Sequence, residues 1–223
     1  MTDTTRGRGR PRKTESTYSD TRNDLIRSGL ELLTQNGFLS TGVDAIVKNA
    51  NVPKGSFYYY FKSKEEYVQT VLNAYDSFFE HKLKKHLLDT SCTPIQRLEN
   101  FINDACDGIK KYNFTRGCLV GNMMQESPGL PPSFIKQLQE ILDSWQRLVS
   151  ACLTEALSVG EIISDVSEQQ LAAIFWSCWE GAVMRTKLYG TTQPIHDFWN
   201  YFKISVGYKS ELTELKIKRM KGL

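Results

Sequence analysis

The chain has 223 residues, 40% of them hydrophobic and 24% charged, the proportions of a soluble globular protein with one large or two small domains. That balance excludes global disorder, a collagen-like repeat and a coiled-coil rod. Net charge is only +3, yet residues 1–65 hold 11 Lys/Arg against 7 Asp/Glu while the remainder holds 17 against 18. This excess fits a segment that meets a polyanion, or a solvated surface with a basic tail.

The longest uncharged apolar stretch, Leu171 to Trp179, falls far short of the ~20 residues that span a bilayer. Arg6 to Lys13 is basic, but no apolar core follows it, so no secretory signal is expected and the protein reads as cytoplasmic. Five cysteines, at 92, 106, 118, 152 and 178, form no C-x-x-C. An odd count without that spacing argues against a disulfide framework and against a structural zinc site.

Residues 1–18 are rich in Gly, Pro, Thr, Ser and Arg without apolar periodicity and read as an arm. From Ser19 the pattern is helical, with Leu25, Ile26, Leu30, Leu32 and Leu33 on one face and Asn36-Gly37 as a stop. Two short helices follow, Val43 to Ala50 and Lys54 to Tyr60, separated by Asn51-Val52-Pro53. Ser63-Lys64-Glu65-Glu66 is a capping box that opens a long amphipathic helix.

Thr93-Pro94 starts the next helix, with Pro at its first position. Residues 113–133 are irregular apart from an apolar run from Cys118 to Met124. Long helices are then expected from Ser133 to Leu157, ended by Gly160, from the Ser167 cap onward, and over Ile195 to Val206. No strand alternation is present, so the predicted class is all-α, a helix-turn-helix three-helix head on a helical bundle.

Two short helices joined by a tight turn match helix-turn-helix geometry, in which the second helix enters the major groove. That helix opens with Lys54-Gly55-Ser56: a cation for phosphate, a residue that permits close backbone approach, and a hydroxyl. Tyr58 and Tyr59 are assigned to the outer face, Phe57, Tyr60 and Phe61 to packing, and Lys64 to a flanking phosphate.

The stretch Thr41-Gly42-Val43-Asp44-Ala45-Ile46, continued by Ala50-Asn51-Val52-Pro53-Lys54-Gly55-Ser56-Phe57-Tyr58-Tyr59-Tyr60-Phe61-Lys62-Ser63-Lys64-Glu65, strongly resembles the TetR family of transcriptional regulators. The resemblance is specific over about residues 19–80. It implies a DNA-binding domain over 19–65, a ligand-binding and dimerisation domain over 66–207, and a basic tail over 208–223. It further implies a homodimer that reads a palindromic operator in double-stranded DNA, most simply as a repressor.

The family's DNA-contact positions fall on Thr41, Lys54, Gly55, Ser56, Tyr58, Tyr59 and Lys64. Tyr59 departs from the pattern, which commonly has histidine there. Arg8-Gly9-Arg10-Pro11 looks like the core of an AT-hook, which lays arginines into a narrow minor groove. A non-specific phosphate-binding arm is the equal alternative for Arg8 and Arg10.

Arg116-Gly117-Cys118-Leu119-Val120-Gly121-Asn122 resembles a stretch in a NemR- and AcuR-like subgroup that responds to electrophiles or acrylate-type metabolites. On that reading Cys118 stands at a helix start, where the dipole and Arg116 lower its pKa and favour the thiolate. Read as packing, it is a small buried hydrophobe.

Cys106, Cys152 and Cys178 lie on apolar stripes and read as core. Tyr112, Phe114, Met124, Trp145, Trp176 and Trp179 are candidates to line a pocket for a small-molecule inducer. Glu180 is assigned to a polar group of the ligand or to an ion pair across a dimer interface. Trp176, Trp179 and Phe198 are the expected interface residues.

No nucleotide-binding glycine motif, nucleophile elbow or metalloprotease motif occurs. His81 and His86 point ~140° apart on a helix and make a poor metal pair. No metal and no cofactor are expected. An all-helical enzyme or a protein-binding adaptor remain the alternatives; neither gives the Lys54-Gly55-Ser56 helix start a task.

Overall fold

The computed structural model describes residues 15–208, with side chains from Asp20 onward. Arg8, Arg10 and the tail beyond Tyr208 lie outside the described residues. Among the described residues nine α-helices run in order: α1 (Glu15–Asn36), α2 (Val43–Asn49), α3 (Lys54–Tyr60), α4 (Lys64–Leu87), α5 (Pro94–Lys111), α6 (Leu119–Gln125), α7 (Pro132–Ser158), α8 (Glu168–Tyr189) and α9 (Gln193–Ser205). A 3-10 turn, Ser127–Gly129, joins α6 to α7, and no strand occurs among the described residues.

Side-chain caps set the starts of α4, α5, α6 and α8. Ser63 Oγ accepts from Glu66 N at 3.1 Å, and Glu66 Oε2 accepts from Lys62 N at 2.9 Å, one residue earlier than a strict capping box. Thr93 and Ser167 cap α5 and α8 in the same way. Gly160 and Gly190 end α7 and α8 with φ of +71° and +64°, the left-handed region that glycine enters without strain. α6 is a true helix within the stretch read as irregular, and Cys118 is its N-cap residue.

In the head, α1, α2 and α3 pack on the start of α4. Leu25, Leu33, Ile46, Phe57, Phe61 and Tyr67 are buried, with the Phe57 and Phe61 rings 5.1 and 5.0 Å from that of Tyr67. Two side-chain hydroxyls tie the helices further: Tyr67 donates to Leu25 O at 2.6 Å, and Ser28 to Ile46 O at 2.8 Å. Between α2 and α3, Asn51 takes φ +52°, a conformation that asparagine tolerates and that makes the turn sharp.

The body packs α4, α5, α7, α8 and α9 around an aromatic core. Trp145 stands 4.2 Å from Phe79 and 5.4 Å from Trp176 between ring centroids, while Phe101 lies 5.4 Å from Trp179. Several polar groups in this core find partners, although Trp176 Nε1 has none. Trp145 Nε1 donates to Asp76, Trp199 Nε1 donates to Glu99, and buried Arg97 forks onto Glu155.

Two expectations are corrected here. Trp176 and Trp179 are buried inside their own chain, so they are not interface residues. Cys178 is exposed, not core. Both errors have one cause: α8 is apolar around much of its circumference, so its sequence does not say which face points inward.

Head and body meet at the C-terminal end of α1, whose last carbonyls have no partner within the helix. The body supplies the donors. Gly117 N donates to Thr34 O at 3.0 Å, Asn122 Nδ2 to Leu33 O and Thr34 O at 3.1 and 2.8 Å, and Lys187 Nζ to Gln35 O at 3.1 Å. The α1–α2 turn is held by Glu126, which accepts from Phe38 N at 2.7 Å and Leu39 N at 3.1 Å.

Hydrogen bonds to a charged group are worth about 1.5–3 kcal/mol. Glu126→Ala is therefore expected to speed amide exchange at Phe38 and Leu39 by roughly ten- to a hundredfold. Residue-resolved hydrogen exchange checks this, with the α7 amides as the unaffected reference.

Candidate functional site

Two features stand out, an exposed α3 face and a cavity where α1 meets the body. On α3, Phe57 points into the head, while Tyr58 and Tyr59 are 55% and 69% exposed. Lys54 is exposed and pairs with Asp44 of α2 at 2.7 Å. A Cβ placed on Gly55 would meet nothing within 4 Å, so packing within this chain does not require glycine there.

Thr41 and Lys64, also assigned to DNA contact, face inward in the free protein. Thr41 is 2% exposed and donates to Gly37 O at 2.6 Å. Lys64 Nζ donates to Phe38 O at 2.6 Å and lies 4.1 Å from the Phe38 ring centroid, and its burial lowers its pKa.

The cavity, about 330 Å³, opens between α1, α4, α5, α8 and the segment before α6. α4 contributes Tyr75, Phe78, Phe79 and Lys82, while α5 contributes Ala105, Gly108 and Ile109, continued by its C-cap Tyr112. Both sets follow the spacing i, i+3, i+4, i+7, so each is one helical stripe. Leu30 and Thr34 of α1 complete the wall. The lining is mostly apolar, with Lys82 and Arg116 as its cations. Arg116 pairs with Glu31 at 3.1 Å and covers the Tyr112 ring at 3.9 Å, but its Nε is buried without a partner.

Of the residues assigned to sensing, Tyr112, Cys118 and Trp179 line this cavity. Phe114 lines a separate surface groove with Asn36 and Tyr189. Trp145 and Trp176 belong to the aromatic core, and Met124 is exposed. The sequence shows the apolar faces of α4 and α5 but, apart from Tyr112, does not assign them to the pocket. It offers no means of finding Leu30 and Thr34, which are brought in by tertiary packing.

Cys118 is buried on the cavity wall, and its Sγ accepts from Gly121 N at 3.4 Å. The expected acidic thiol is not found. Burial pushes the Cys118 pKa well above its ordinary value and the neighbouring Glu180 carboxylate adds to the push, outweighing the opposite pull of the Gly121 amide and the Tyr75 hydroxyl. Arg116, expected to help, turns instead to Glu31 and Tyr112.

Glu180 is itself 8% exposed, and its Oε1 has no hydrogen-bond partner. Burial raises its pKa to about 7, with a smaller opposite effect from Cys118. A Cβ at position 121 would collide with Glu180 Oε2, so glycine there admits the carboxylate to the first turn of α6.

A carboxyl whose pKa is higher folded than unfolded contributes stability at low pH and loses it as pH rises through the folded value. Glu180 should thus remove up to about 3 kcal/mol of stability between pH ~4.5 and ~7, and no more above that. Urea denaturation across that window checks this, and Glu180→Gln should flatten its share of the pH dependence.

Residues 25–71 match the family described as bacterial regulatory proteins, tetR family, and residues 94–202 match the tetracyclin repressor-like C-terminal domain. The transcriptional regulator AcuR of Cereibacter sphaeroides is 43% identical over 87% of this chain and 89% of its own length. The transcriptional repressor DhaR of Mycobacterium sp. is 31% identical over 79% and 87%. Among solved structures, regulatory protein TetR from Rhodobacter sphaeroides superposes with a TM-score of 0.81 at 42% identity, over 83% of this chain and 98% of that one. With matches to both halves of the family's architecture and such relatives along most of its length, the chain belongs to the TetR family of transcriptional regulators.

Proposed function

We propose that the chain is a homodimeric repressor that holds a palindromic operator through α3 and releases it when a small molecule occupies the cavity or modifies Cys118. The observation that carries this reading is the shared use of α1. Its last turns supply Leu30 and Thr34 to the cavity wall, and the same Thr34 carbonyl is held by Gly117 and Asn122 of the body. A ligand that displaces Arg116-Gly117 therefore pulls on the helix that positions the head. The repressor names of DhaR and of NemR from Escherichia coli support repression.

The DNA face is assigned to Lys54, Gly55, Ser56, Tyr58 and Tyr59. Thr41 and Lys64 reach phosphate only if they exchange their present partners, and the basic arm with Arg8 and Arg10 is assigned to the flanking groove. The ligand is assigned an apolar body with an acidic or polar head, matching the lining and its two cations, Lys82 and Arg116.

A second copy is assigned to the outer face of α8 and α9. Ile174, Cys178, Gly181, Arg185 and Leu188 share one exposed stripe of α8, and Tyr201 and Ile204 are exposed on α9. A contiguous apolar patch of this kind is characteristic of an interface. No described helix is long and apolar enough to cross a membrane.

Fluorescence anisotropy on the DNA upstream of its own gene, against scrambled DNA, tests the regulator. Specific binding released by an unsaturated carbonyl compound is expected, whereas equal affinity for both DNAs in the reduced, ligand-free state defeats the reading. Lys54→Ala should weaken binding and reduce the slope of log K against log salt by roughly one, as for loss of one phosphate contact. Leu188→Glu combined with Ile204→Glu should halve the mass seen in light scattering while leaving the helical signal intact.

A further inference from the structure

Folded proteins rarely leave a buried polar atom without a partner, and the exceptions mark strain or chemistry. Among the described residues four such side-chain atoms occur: Arg116 Nε, Trp176 Nε1, Glu180 Oε1 and Thr186 Oγ1. Glu180 is the one that stands beside a nucleophile. It reaches the first turn of α6 because Gly121 has no side chain to block it, and there it stands beside Cys118, which lines the cavity.

The geometry points to Glu180 as the proton acceptor for Cys118 when the thiol adds to an electron-poor alkene, an α,β-unsaturated carbonyl compound, held in the cavity. This rests on the reading of Cys118 as the sensing residue and adds how a buried thiol reacts at all. As Sγ forms its bond to the β-carbon, the carbon–carbon π bond breaks and its electrons move to the α-carbon and carbonyl. The S–H proton passes to the Glu180 carboxylate and is then delivered to the α-carbon. The product is a thioether, Glu180 is restored, and no oxidant or reductant takes part.

The thiol needs this help because its surroundings oppose the free thiolate. The groups that face the pair are the Tyr75 hydroxyl from α4 and the Gly121 amide of α6. The nearby cations are turned elsewhere, Arg116 to Glu31 and Lys187 to Gln35. With a carboxylate that ionises near pH 7, base-assisted addition rises with pH and levels off above about 7. Unassisted addition would instead climb tenfold per pH unit toward the high pKa of the thiol.

The test is the rate at which methyl vinyl ketone alkylates Cys118 in the full-length protein between pH 6 and 9, read on the Cys118 peptide by mass spectrometry. N-acetylcysteine alkylated in the same solution serves as the reference for the reactivity of an unburied thiol. The proposal expects a plateau above about pH 7 in the unaltered protein. It also expects Glu180→Gln to be at least tenfold slower at pH 7.5, with the plateau gone, in line with general-base contributions of about 10²–10⁴. Gly121→Ala, which displaces the carboxylate while keeping both reacting groups, should slow the reaction in the same way.

A carboxylate that merely sits nearby gives the opposite sign. Removing its charge would ease thiolate formation, and Glu180→Gln would react faster. That result, or a rate still climbing at pH 9 in the unaltered protein, overturns the role of Glu180 while leaving Cys118 as a sensor. Absence of alkylation at every pH overturns the sensor reading as well.

Discussion

A helix that ends against another domain must find donors for its last carbonyls, and this requirement organises the molecule around the C-terminus of α1. The partners come from two places far apart in the sequence: the segment around α6, where Gly117 and Asn122 donate and Glu126 takes the amides of the following turn, and Lys187 near the end of α8. Hydrophobic packing holds each half together, but these directed bonds fix how the halves sit. Solvent cannot replace them at full value, since most are at least partly buried.

The segment that supplies most of these donors also carries the thiol. Cys118 caps α6 between Gly117 and Asn122, so anything that shifts the start of α6 acts on two of the α1 bonds at once. The α5–α6 connection that leads there is strained: Asn113 and Phe114 both take positive φ, at +51° and +60°. For an aromatic residue this conformation is costly.

Much of the architecture was readable because it rests on local chemistry. Ser63, Thr93 and Ser167 act through their own neighbours, as do the glycines that end α7 and α8, and the amphipathic stripes of α4 and α5 show their period directly. The site was less readable, for two physical reasons. An apolar helix such as α8 gives no sign of which face is inward, so Trp176 and Trp179 were placed outward and Cys178 inward. The state of Cys118 depends on Glu180, 62 positions later, and local cues, a helix start and a nearby arginine, pointed to an acidic thiol. Burial and an adjacent carboxylate outweigh both.

The double duty of α1 has a consequence for how such a molecule behaves among many DNA sites. If a ligand in the cavity releases the head from DNA, as proposed, the two occupants are thermodynamically linked, and the linkage runs in both directions by the same factor. A ligand that loosens the grip on DNA tenfold must itself bind tenfold less well to the DNA-bound molecule, a coupling of about 1.4 kcal/mol. Copies free of DNA would then take up the signal first, so the concentration needed for a response would depend on how many copies of the protein, and how many sites, the cell contains.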